Sequence, residues 1–110
     1  MLVETPHKLH DLLHELRNAL NLLYGKRLVR LILYGSQARG EATEDSDIDI
    51  VVILKGQISP GTEILRMGDL RTALSLKYDE LISLFPISET DFLFRQTPLL
   101  RDVRREGIAI

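Results

Sequence analysis

The sequence predicts an α/β fold, a small mixed sheet with helices packed on it. Leucines recur at helical spacing through the first segment of the chain, and two aliphatic runs of strand length, Leu28 to Tyr34 and Ile48 to Leu54, follow it. The polar stretch between those runs, with Gly40 inside it, is too short for a helical crossover, so the second strand is expected to return beside the first and the sheet to be mixed. A length of 110 residues suits one domain, residues 1–110. With 45% hydrophobic and 27% charged residues, the composition is that of an ordinary globular chain, with apolar material for one sheet and its helices. Trp is absent and aromatics are 5% of the chain, so the core is expected to be aliphatic.

Leu9, Leu12, Leu13, Leu16, Leu20 and Leu23 form one apolar stripe and predict a first helix over about 6–24. Thr5-Pro6 supplies a cap and first turn, and Gly25 a stop. Leu28 to Tyr34 is the first strand, ended by Gly35-Ser36; Gln37 to Ser46 is a polar loop with room for one helical turn. Ile48 to Leu54 is the second strand. Lys55 to Gly61 contains Gly56, Pro60 and Gly61 and is a turn region. A helix from Glu63 to about Lys77 would place Ile64, Met67, Leu70 and Leu74 on one face, and a third strand covers about Leu81 to Ile87. Ser88 with Asp91 resembles a capping box, and Thr97-Pro98 opens a last helix that Gly107 ends.

Charge and composition exclude several classes. A net charge of −2 argues against a general nucleic-acid coat protein, while leaving open a small anion held through metal ions. The absence of cysteine excludes disulfides, thiolate zinc sites and thiol catalysis. The opening MLVETPHKLH lacks the basic start and apolar run of a signal peptide, and the longest apolar stretches are strand-sized. A cytoplasmic protein is the expectation.

Chemistry concentrates between Gly35 and Asp49. Asp47 and Asp49 are two apart at the start of a strand, so their side chains share a face while Ile48 and Ile50 turn to the core. Adjacent carboxylates repel and favour protonation unless a cation lies between them. Mg²⁺ is bound in this way, through one or two carboxylates, with water and substrate phosphates completing its shell. A strand ending on Gly35 lets the backbone approach a ligand closely, and the Ser36 hydroxyl and the N–H groups after it can donate to phosphate oxygens. Arg39 either adds positive charge toward those phosphates or is a solvated cation. No basic residue lies between Arg39 and Lys55, whereas Glu41, Glu44, Asp45, Asp47 and Asp49 are acidic, so a triphosphate is tolerated here only with metal. Asp-x-Asp alone is usually a solvated strand end. Gly-Ser at one strand end, ten residues, then Asp-x-Asp opening the next strand is a far more specific pattern.

On Gly35-Ser36, the ten-residue gap and Asp47-x-Asp49, the chain resembles the nucleotidyltransferase superfamily typified by DNA polymerase beta, most closely its minimal prokaryotic branch. A weaker likeness through Leu74 to Asp79 and Val103 to Ile108 extends it over nearly the whole chain. The resemblance implies a nucleotidyltransferase fold, ATP as donor, and a two-metal mechanism. One Mg²⁺ orients the triphosphate, the other activates an acceptor hydroxyl, and pyrophosphate leaves. It implies Asp47 and Asp49 as catalytic metal ligands and Gly35, Ser36 and Arg39 on the nucleotide side. A third carboxylate on the neighbouring strand usually completes such sites. Asp79, at the expected start of the third strand, is the favoured candidate and Glu80 the next, with loss of that ligand the remaining alternative. The branch is commonly paired with small helical HEPN-type toxins, and some members resemble antitoxins that add AMP to a tyrosine of the partner. The resemblance therefore implies a protein adenylyltransferase antitoxin in a hetero-oligomer. The alternative is a catalytically silent nucleotide-binding subunit that neutralises its partner by binding alone.

The remaining features carry bland readings. His10 and His14 are four apart on the first helix, with His7 before them, but the leucine stripe already explains that helix. Arg95, Arg101, Arg104 and Arg105 alternate with acids as a solvated face would, though they could dock an acidic partner. Tyr24, Tyr34 and Tyr78 are too dispersed to stack bases. The acidic mouth at Glu41, Glu44 and Asp45 disfavours a polynucleotide acceptor.

Overall fold

The computed structural model describes residues 5–43 and 45–110, with side chains from residue 8 onward. The Thr5-Pro6 cap and the His7 side chain lie outside that set, as does Glu44. Helix α1 spans Thr5–Tyr24. Its stripe buries Leu12, Leu16 and Leu20 completely, with Leu9 and Leu13 packed at the margin, while Leu23 at the far end is exposed. Gly25, at φ 56°, ends the helix in the left-handed region and opens a 3₁₀ turn to Arg27. Strand β1, Leu28–Tyr34, follows. A one-turn helix α2, Ser36–Arg39, sits in the expected polar loop, and strand β2 covers Ile48–Leu54.

Helix α3 runs Pro60–Tyr78 and starts earlier than the apolar pattern indicated, because Pro60 suits a first helical position and Ser59 precedes it as N-cap. One face assignment is corrected. Ile64 is exposed, and Glu63 is buried in its stead. The Glu63 carboxylate accepts from the Tyr24 hydroxyl at 2.7 Å and from Arg66 Nε at 3.0 Å, so a polar residue satisfied by two donors ties α3 to α1. Ion pairs from Lys77 to Glu15 and from Lys8 to Glu80 (2.9 Å) join the other ends of the two helices' region.

Strand β3 is Ile82–Ser88. Ser88 caps helix α4, Glu89–Phe94, its hydroxyl accepting from the Asp91 N–H at 3.1 Å, and Thr97 caps helix α5, Pro98–Glu106, in the same way. A two-residue strand β4, Ile108–Ala109, had no sequence signal at that length. The sheet order is β3-β2-β1-β4. β1 pairs antiparallel with both β2 and β4, and β3 pairs parallel with β2 after the α3 crossover, so the sheet is mixed as expected. One face packs Leu31, Leu33, Ile48, Ile50, Val52, Leu54, Ile82 and Leu84 against α1 and α3. The opposite face packs Ile32, Val51, Ile53 and Ile87 against Leu100 and Val103 of α5. No helix among the described residues is long and apolar enough to cross a membrane.

Candidate active site

Strand register assembles the site. Tyr34 pairs with Asp49 across β1 and β2, and Asp49 pairs with Ser83 across β2 and β3. Directly paired residues share a sheet face, so Tyr34, Asp49 and Ser83 form one row. The next rows on that face are Ile32, Val51 and Phe85, then Arg30, Ile53 and Ile87. The apolar part of this face lies beneath α5, and the row carrying Asp49 lies at its open end, where Asp49 is half-buried and Asp47 exposed.

Burial raises the Asp49 carboxyl above the usual carboxylate range, and the neighbouring Asp47 charge adds to the rise. The Tyr34 hydroxyl is likewise pushed up, by burial first and by the Asp49 charge second. A half-desolvated carboxylate beside a second one fits a divalent cation. Mg²⁺ would be held by Asp47 and Asp49, and when bound it supplies positive charge against the phosphates of a nucleotide.

Gly35 closes against this pair. Its φ of 77° and ψ of −156° turn the chain sharply from β1 into α2, a conformation that disfavours any side chain. A Cβ there would stand 2.8 Å from Asp49 Oδ2, so the backbone at the end of β1 lies directly on the carboxylate. The Gly35 carbonyl accepts from the N–H groups of Ala38 and Arg39, at 3.1 and 3.2 Å. Ser36 and Gln37 thereby stand in the first turn, whose N–H groups have no partner within a helix and are suited to an anion.

Arg39 resolves toward neither simple reading. It is partly exposed, and its guanidinium pairs with Glu41 at 2.8 Å and Glu106 at 3.2 Å, bonds that raise its basicity further. Glu106 is held from behind. Gly107 packs so tightly that a Cβ would stand 2.4 Å from Ile32 Cγ2, and β4 then pairs with β1.

The placement of Asp79 is corrected. It lies outside β3, at the C-cap of α3, exposed and at φ 52°, because α3 runs to Tyr78 and the strand begins only at Ile82. Glu80 is engaged by Lys8. Among the described residues, no three His, Asp or Glu side chains converge to hold a metal. Asp47 and Asp49 are the two candidate carboxylates that lie together. The residue that the register sets beside Asp49 is Ser83, which no local pattern singles out, since Ile82-Ser83-Leu84 reads as ordinary strand alternation.

Of the features set aside above, Tyr34 stands in the Asp49 row and the histidines do not join the site. His10 and His14 are exposed on α1. Arg104 of α5 reaches across to α4, donating to the carbonyls of Phe92 and Arg95 and lying over the Phe92 ring, while Arg105 pairs within α5 with Asp102 and Glu106 and Arg95 pairs with Asp91 of α4.

The model of the nucleotidyltransferase domain family matches residues 13–97. A candidate protein adenylyltransferase of Methanocaldococcus jannaschii is 41% identical over 96 residues, covering 84% of this chain and 88% of its own length. A second candidate protein adenylyltransferase of that organism is 28% identical over 100 residues, covering 91% and 96%. The crystal structure of a toxin–antitoxin with AMP-PNP superposes with a TM-score of 0.59 at 21% identity, over 94% of this chain and 69% of that one, and so shares the fold. The family match spans β1, β2, β3 and the whole Gly35–Asp49 segment, and the chain belongs to the nucleotidyltransferase domain family of enzymes.

Proposed function

We propose that this chain, with Mg²⁺, transfers AMP from ATP to a tyrosine of a HEPN-type toxin and thereby acts as its antitoxin. The observation that carries the reading is the Gly35 backbone lying on the Asp49 carboxylate, with Asp47 beside it. That contact joins a phosphate-accommodating turn to a cation-holding pair, which is what nucleotide transfer requires. In the reaction the acceptor oxygen bonds to the α-phosphorus, the α–β bridge breaks, and pyrophosphate departs with the bonding pair while the hydroxyl proton passes to solvent. Asp47, Asp49, Gly35 and Ser36 orient the donor, and Arg39 exchanges a carboxylate partner for a phosphate. The names of the two archaeal relatives support a protein acceptor, and the toxin–antitoxin neighbour supports a toxin as that protein. Acidic, exposed Glu41 and Asp45 in the loop that leads to the pair favour a protein hydroxyl over a polynucleotide, whose phosphates they repel. Tyrosine suits a shallow site, because its long rigid side chain reaches across an interface. The cytoplasm, which supplies ATP, is the compartment this reading implies.

A second reading, a silent subunit that binds nucleotide and partner without turnover, is favoured by the pair of carboxylates standing without Asp79. Incubation of the toxin with this chain, Mg²⁺ and ATP labelled at the α-phosphate separates the two. The expected result is one or more AMP groups on a toxin tyrosine by intact mass and peptide sequencing, with loss of toxicity. Neutralisation without label would establish the silent reading, and label on tRNA instead of toxin would overturn the protein acceptor.

A further inference from the structure

We infer that Ser83 is part of the cation site and sets its affinity, standing as a neutral hydroxyl where the sheet offers room for a further charge. The inference rests on the reading of Asp47 and Asp49 as the cation-holding pair. Ser83 is exposed and registers directly against Asp49 on the adjacent parallel strand. Neighbouring strands lie roughly 4.8 Å apart, so a side chain at this position shares the space in front of Asp49. The other flank of Asp49 in the row is Tyr34, half-buried, whose phenol like any other is uncharged at neutral pH. Asp49 therefore has an acidic neighbour along its own strand and uncharged hydroxyls across the sheet on both sides. Glu80 is occupied by Lys8, and Asp79 stays with the end of α3.

Two consequences follow. A cation at the pair meets two negative charges from the protein, so its binding depends on the charge that a triphosphate brings. The Ser83 hydroxyl can donate to, or coordinate beside, whatever Asp49 holds, but it contributes no net charge to that ion. Replacing it by Asp adds a carboxylate at about one strand spacing from a divalent ion, which by Coulomb attraction raises affinity about tenfold or more even with strong solvent screening.

The test is Mn²⁺ binding to the purified chain, read by electron paramagnetic resonance with and without ATP, in wild type, Ser83→Asp, Ser83→Asn and Asp49→Asn. The expected result is weak Mn²⁺ binding to wild type without nucleotide, about tenfold tighter binding to Ser83→Asp, and no gain in Ser83→Asn, which has similar size without the charge. The exposed position on an edge strand lets each variant fold, which far-ultraviolet circular dichroism verifies. Unchanged Mn²⁺ affinity in Ser83→Asp, with Asp49→Asn still abolishing binding in the presence of ATP, would overturn the role of Ser83 alone. Binding that survives Asp49→Asn would overturn the cation pair itself. A gain in Ser83→Asn equal to that in Ser83→Asp would also count against the inference, because charge would not be its cause.

Discussion

Asp49→Asn should lower nucleotide transfer by roughly a thousandfold, since metal-assisted charge stabilisation is worth several kcal/mol and each 1.36 kcal/mol is a factor of ten. Asp47→Asn should do the same, and both variants should fold. The single-turnover rate with labelled ATP measures the loss. The apo protein gives an opposite sign in stability. The Asp49 carboxyl is raised in the folded state by burial and by Asp47, so its ionisation is harder in the folded chain than in the unfolded one. The stability linked to this group is complete below the unfolded-state pKa and is lost as pH rises through the folded one. Asp49→Asn removes that loss, so with chelator present its Tm should exceed wild type at neutral pH, a gain that shrinks toward acid pH. Transfer that survives either substitution would refute the assignment of the pair.

Gly35→Ala should have the second large effect. The glycine sits at φ 77°, and its new Cβ would meet Asp49 Oδ2 at 2.8 Å, so the methyl must displace either the carboxylate or the turn. The backbone strain alone costs about 1–3 kcal/mol, because φ 77° with ψ −156° is open essentially to glycine alone, and movement of the carboxylate should remove transfer on the scale of Asp49→Asn. Gly40→Ala is the internal control. Gly40 has φ 72° and ψ 21°, the ordinary left-handed region, and open space where its Cβ would go, so it should lose less stability and keep transfer within a few-fold. If the two alanines reduced transfer equally, the close approach at Gly35 would have no special function.

The parts of this molecule legible in the sequence were those written in local pattern. The α1 stripe, the β1 and β2 runs, the Ser88 and Thr97 caps and the mixed sheet all follow from spacing and turn chemistry within a few residues. Gly35 and Asp49 could be suspected from the residue types and the gap between them, and the register of β1 on β2 brings them into contact. What escaped depends on pairing between distant segments. Asp79 stops short of the third strand because α3 continues to Tyr78 and Asp79 itself caps that helix in the left-handed region. Ser83 was invisible because its significance comes only from its partner across the sheet. Glu106 reaches Arg39 across 67 positions of chain, held there by a glycine wedged against Ile32, and no local signal encodes that. Glu63 was hidden for a similar reason: a buried carboxylate on a helix looks polar until the Tyr24 hydroxyl is known to meet it.

If Asp47 and Asp49 hold the catalytic cation, it should sit beside the Gly35-Ser36 turn. Anomalous diffraction from crystals of the chain with Mn²⁺ and a non-hydrolysable ATP analogue tests it most directly. The account predicts a manganese peak within coordination distance of both aspartates, with the triphosphate lying along the turn after Gly35. A peak at Asp79 and Glu80, or at His10 and His14, with Asp47 and Asp49 left bare, would contradict it.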